Sequence, residues 1–127
     1  MIGHEDWLDR TESKLKLAKK SKEDRSIHFS DTMYCIQQVV EFSLKSLIAY
    51  FTGTLPQKTH DISNLCHTVE QYVQIPQDIL IAILPMTDYV SHRYPHEFEI
   101  GTDEDCDASF EIAEKLFAWI KSEVVNH

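Results

Sequence analysis

The sequence predicts an all-α chain, an antiparallel up-and-down bundle of four to five helices. Apolar residues recur at three- and four-residue steps through successive segments. Only three Gly and four Pro interrupt 127 residues, and no stretch reads as a convincing strand. At 43% apolar content the chain is long enough to bury one core without metal or disulfide staples, so residues 1–127 are read as a single domain.

In the first segment Trp7, Leu8, Thr11, Leu15 and Ala18 repeat with Lys and Glu between them, which predicts an amphipathic helix from about His4 to Lys20. Ser21 to Arg25 reads as a charged connection. From about Ser30 to Thr52 the positions Met33, Ile36, Gln37, Val40, Leu44, Leu47, Ile48 and Phe51 trace one stripe, with Ser30 or Asp31 available as N-cap and Gly53 as stop. A loop at residues 54–58 follows. Asp61 then caps a helix carrying Ile62, Leu65, Cys66, Val69 and Tyr72 on one side, ended by Pro76. The fourth helix, from Pro76 or Gln77, is expected to bury Ile79, Leu80, Ile83 and Leu84. Pro85 removes a helical hydrogen bond and should kink or restart it on the way to His92, before Pro95. Residues 102–105 (Thr-Asp-Glu-Asp) resemble a capping box for a last helix bearing Cys106, Phe110, Ala113, Phe117, Ile120 and Val124. Connections this short favour antiparallel neighbours.

Composition also excludes function classes. No apolar run approaches the ~20 residues of a membrane span, and the first residues do not read as a signal peptide, so a cytoplasmic protein with no membrane partner is expected. Cys35, Cys66 and Cys106 form an odd set without a C-x-x-C pair and read as small core hydrophobes. A formal charge of −9 opposes indiscriminate binding to nucleic acid or anionic lipid. Yet half of the twelve basic residues fall between Lys14 and Arg25, while Glu97, Glu99, Asp103, Glu104, Asp105 and Asp107 make an acidic approach to the last helix. A solvated basic face and a dipole-favoured acidic N-terminus account for these runs; a polyanion patch is the alternative.

Three groups of residues carry a family resemblance. Residues 34–48, Tyr-Cys-Ile-Gln-Gln-Val-Val-Glu-Phe-Ser-Leu-Lys-Ser-Leu-Ile, follow an aromatic, Gln-Gln-x-x-Glu-x-x-Leu-Lys pattern. Pro56 precedes Thr59-His60-Asp61-Ile62. Leu84-Pro85 is followed by Tyr89 and by Arg93-Tyr94-Pro95. In this order, with Trp7 near the start, they resemble the HEPN-domain family across nearly the whole chain. The resemblance implies a helical bundle, commonly homodimeric, that often partners a minimal nucleotidyltransferase in toxin–antitoxin or nucleotide-responsive systems. Some such proteins resemble metal-independent ribonucleases and others nucleotide binders. The ribonuclease pattern, Arg followed after four to six residues by His, is incomplete here: Arg93 and His96 have only two residues between them. Phe42 stands where Lys is usual, Val39-Val40 replace small residues, and His96 stands where Asp commonly follows Arg-Tyr-Pro.

The expected function is therefore nucleotide or RNA binding, or service as a nucleotidyltransferase partner, rather than catalysis. Candidate ligand-binding residues are His60, Asp61, Arg93, Tyr94, Gln37 and Glu41. The competing readings are a metal-independent endoribonuclease, with Arg93 as the cation that stabilises phosphorane-like charge and His96 as proton carrier, and a purely structural dimeric interaction module. His60 and Asp61 invite a dyad reading, but N-capping by Asp61 with His60 packed nearby is preferred. Gln37, Gln38, Glu41 and Lys45 are read as a hydrogen-bonded network, with a nucleotide pocket as the alternative. His spacing supports no metal site and no motif calls for a cofactor.

Overall fold

A computed structural model describes residues 3–56, 58–86 and 103–126, and among them it holds α-helices, one short 3-10 turn and no strand. The helices are α1 (His4–Glu23), α2 (Phe29–Thr52), α3 (Ile62–Val69), α4 (Gln77–Ile83) and α5 (Asp103–Asn126), with the 3-10 turn at Leu84–Met86. No described helix is long and apolar enough to cross a membrane.

α2 is the centre of the molecule because it is apolar over much more than one stripe. Ile36, Val39, Val40, Leu44 and Leu47 are all fully buried, and a helix buried nearly all round must have neighbours on several sides. α1 and α5 supply them. His4 lies edge-on to Tyr50 at one end of α1 and Ser21 bonds Thr32 at the other, so α1 runs antiparallel to α2. Lys22, in the last turn of α1, and Arg25, just beyond it, meet Asp107 at the start of α5, so α5 is antiparallel to α1 as well. The α1–α2 seam is made of small residues. Buried Thr11, Ala18 and Ser21 face α2, with the Ser21 and Thr32 hydroxyls 2.6 Å apart and Thr11 and Ser46 bonding back to the carbonyls of Trp7 and Phe42. Short side chains let the two backbones approach, and the hydroxyls remain satisfied in the process.

Helix ends follow local chemistry, with some departures from expectation. The N-cap of α2 is His28, not Ser30 or Asp31: its Nδ1 accepts from the Ser30 N–H at 3.1 Å, and its ring packs on Phe29. Gly53 ends α2 as expected, at φ 68°, where a side chain would be strained. Asp61 caps α3, accepting from the Asn64 N–H at 3.3 Å. α3 does not run on to Pro76. It stops at Val69, and turns bonded to the Thr68 and Val69 carbonyls carry Tyr72 out of the predicted stripe to stack on Phe51, ring planes 6° apart. Tyr72 is exposed in consequence, while Ile75 beyond the turn is buried. At Pro85 α4 gives way to the 3-10 turn, which rotates Leu84 into partial exposure rather than burial. The expected continuation to His92 and the residue Thr102 lie outside the described residues.

The cysteines behave largely as read. Cys66 and Cys106 are buried in the core and Cys35 is half-buried. Burial, together with the nearby carboxylates of Glu70 and Asp61, pushes the Cys66 thiol up to about 12. It is a thiol, not a nucleophile, at neutral pH. The basic and acidic runs also find each other. Burial opposes ionisation of Asp107, but bonds and charge from Lys22 and Arg25 outweigh it and hold the carboxyl below the usual carboxylate range.

Candidate functional site

On α2, Gln37, Glu41 and Lys45 follow one another at four-residue steps, which stacks them along one side of a helix. All three are buried, an unusual position for a carboxylate and an ammonium in the middle of a core helix. His60, just before α3, lies beside Glu41, and this placement makes a site out of the row.

Both oxygens of Glu41 are engaged. Lys45 Nζ donates to Oε2 at 2.9 Å, and His60 Nδ1 lies 2.9 Å from Oε1. The Glu41 side chain is 3% exposed, whereas that of His60 is 70% exposed. A carboxylate only accepts, so the bond to Oε1 places the proton on Nδ1 and leaves Nε2 to solvent. The imidazole is therefore held at one nitrogen by a buried anion and offered to the surface by the other. Lys45 alone neutralises Glu41, which frees His60 from balancing that charge. Trp7 completes the surroundings. Its ring stands edge-on to Phe42, with Lys45 Nζ 5.7 Å and the Arg10 guanidinium carbon 5.8 Å from its centroid.

Two polar groups near this row lack partners among the described residues. The Gln37 amide, fully buried one turn before Glu41, has neither its oxygen nor its nitrogen bonded, and the Trp7 indole N–H is likewise without an acceptor. Gln37 therefore does not join the hydrogen-bonded network expected of it, and Gln38 instead donates to the Tyr34 hydroxyl at 3.3 Å. An unpaired buried amide weakens the fold. Gln37→Met, of similar volume and without the desolvated groups, is expected to stabilise the protein by about 1–3 kcal/mol in urea denaturation.

The predicted residues separate into three groups. Glu41 and His60 meet, together with Lys45. Asp61 caps α3 and does not pair with His60, as anticipated; its neighbour turns to Glu41 across 19 positions of sequence. Arg93, Tyr94 and His96 lie outside the described residues. Sequence reasoning missed the His60–Glu41 bond and the stacking of Trp7 with Lys45. The only signal for either was a carboxylate on an otherwise buried face, which demands a partner without naming it. Among the described residues no group of three or more His, Cys, Asp or Glu side chains is placed to hold a metal ion.

Comparison with known proteins agrees with this architecture. The family model described as HEPN domain matches residues 4–123. Among solved structures the chain is similar to ST0689, an archaeal HEPN homologue, at 22% identity and a TM-score of 0.77, covering 98% of this chain and 99% of that one. It is also similar to TT1696 from Thermus thermophilus, again at 22% identity, with a TM-score of 0.73 and coverage of 94% and 96%. At that identity the likeness is one of fold. No curated protein matches the chain.

Proposed function

The chain belongs to the HEPN-domain family, and from that premise we propose that it is a nucleotide- or RNA-binding module in which His60 contacts a ligand phosphate. The observation that carries this reading is the bond that an exposed imidazole donates to a buried, already neutralised carboxylate. With Nδ1–H held by Glu41, a protonated His60 donates its second N–H to a phosphate oxygen as a charge-assisted bond, at little cost in side-chain ordering. Arg93 and Tyr94, from the Arg-Tyr-Pro segment, are proposed as further contacts, with Gln37 behind the site. The module binds without cleaving, since the ribonuclease spacing is incomplete in the sequence. In the cell it is proposed to act as a homodimer beside a nucleotidyltransferase, in the manner of toxin–antitoxin pairs.

The test is fluorescence anisotropy with labelled single-stranded RNA and competing nucleotides. Wild type is expected to bind, and His60→Ala to lose about 10- to 100-fold in affinity while remaining folded. Equal binding by His60→Ala refutes the role of His60. RNA cleavage in chelator, lost in Arg93→Ala and His96→Ala, would replace binding by the ribonuclease reading.

A further inference from the structure

We propose that Tyr72 is a base-stacking residue of the site at His60, and that the ligand spanning the two is an unpaired stretch of RNA rather than a mononucleotide. The inference rests on the phosphate contact proposed for His60 and extends it along α3. His60, just before α3, lies against Glu41, and Tyr72, in the turn after α3, stacks on Phe51. α3 and that turn therefore follow α2 in the same direction, with the two side chains at opposite ends of one path. From residue 41 to residue 51 α2 rises about 15 Å, at ~1.5 Å per residue. At about 3.4 Å per stacked nucleotide, a few nucleotides in a row cover that length and one cannot.

Among the described residues Tyr72 is the one aromatic side chain that is exposed, at 48%. One face of its ring is taken: the Phe51 ring lies parallel to it, with planes 6° and centroids 5.2 Å apart. Exposure of nearly half the residue leaves the opposite face to solvent. Phe51 is half-buried and is braced edge-on by Tyr50, which His4 braces in turn. A flat ring whose back is fixed to the core loses little freedom when a base settles on its front. Every base has such a face, so the contact asks for an unpaired base and not for a particular sequence.

The charge along α3 admits a phosphodiester chain. Between Lys45 and Asp78 the sequence holds only Lys58, Asp61 and Glu70 as formal charges, although the whole chain carries −9. Both carboxylates accept from backbone, Asp61 from the Asn64 N–H and Glu70 from the Ile75 N–H, at 3.3 Å each. Lys58 is exposed two positions before His60. α3 itself contains no acidic residue, and its exposed Asn64 and His67 lie one turn apart between the two ends of the path. They offer hydrogen-bond donors to sugar and phosphate oxygens without repelling them. An apolar partner finds little on this side of α3, where Ser63, Asn64, His67 and Gln71 are exposed.

The test is fluorescence anisotropy on the full chain with a labelled RNA hexanucleotide, its abasic counterpart of equal length, and competing AMP. Tyr72→Leu keeps Phe51 covered but removes the flat face, whereas Tyr72→Phe keeps both. Wild type is expected to bind the hexanucleotide about tenfold more tightly than the abasic strand or AMP. Tyr72→Leu is expected to lose about tenfold for the hexanucleotide while AMP and the abasic strand are unaffected, and Tyr72→Phe to match wild type. Hexanucleotide affinity unaltered by Tyr72→Leu, or lowered equally for the abasic strand, overturns the stacking role. Loss of affinity in His60→Ala with none in Tyr72→Leu does so too, and leaves the phosphate contact standing. Loss in Tyr72→Leu with none in His60→Ala refutes the phosphate contact and the path that starts from it. Absence of hexanucleotide binding by wild type overturns both. A Tyr72→Leu protein that sediments as a smaller species than wild type without RNA would place the ring in an interface between copies, which also overturns the proposal.

Discussion

Glu41→Ala is expected to destabilise the folded chain by about 3–5 kcal/mol, because it strands the Lys45 ammonium in a core from which water is excluded. The exposed partner, His60, costs far less to remove, since Glu41 keeps its bond from Lys45. The double replacement Glu41→Leu with Lys45→Met removes both charges and fills similar volume, so it is expected to lie within about 1–2 kcal/mol of wild type or above it. Urea denaturation of Glu41→Leu, Lys45→Met and the double variant closes the cycle. A Glu41→Ala cost below about 1 kcal/mol would mean that Lys45 reaches water and that the pair is not buried.

Leu44→Ala is expected to cost about 2–5 kcal/mol, through lost transfer energy and the cavity left on the central helix. Leu44 is fully buried on the side of α2 that also carries Ile48 and Met33, where neighbours on several sides prevent collapse into the hole. The control is Ile81→Ala on α4. Ile81 is 66% exposed, and its truncation is expected to change stability by no more than about 0.5 kcal/mol. Equal effects at the two positions would place α2 at the surface rather than at the centre.

The long helices were legible because their periodicity extends over many turns. α1, α2 and α5 were each indicated by residues three and four apart, and Gly53 marked the end of α2 by a backbone conformation that other residues avoid. The short elements were not. The apolar pattern from Ile62 to Tyr72 continues after the chain has left the helix, since the carbonyls of Thr68 and Val69 also bond well in a turn. Leu84 fits the stripe of α4 until Pro85 tightens the last turn into a 3-10 conformation. The His28 cap escaped because serine and aspartate two and three positions later were the more conventional choices.

The site was half legible for a related reason. Position along one helix fixes Gln37, Glu41 and Lys45 in a row, and that row could be read from four-residue spacing alone. No local rule connects residue 41 to residue 60, and the adjacent Asp61 offered a nearer carboxylate. The tertiary fold decides the matter by bringing His60 back beside α2, where buried Glu41 has an oxygen to satisfy. Gln37 shows the reverse: a polar residue on the buried face predicted a network, and its amide finds no partner among the described residues.

The measurement that tests the central claim most directly is NMR of the His60 ring carbons and nitrogens while RNA or nucleotide is titrated into the wild-type chain. The account predicts that the Nδ1–H stays bonded to Glu41 throughout and that the Nε2 signal moves to that of a protonated, hydrogen-bonded nitrogen as ligand saturates. A ring signal unchanged at saturation, with ligand demonstrably bound, would contradict it.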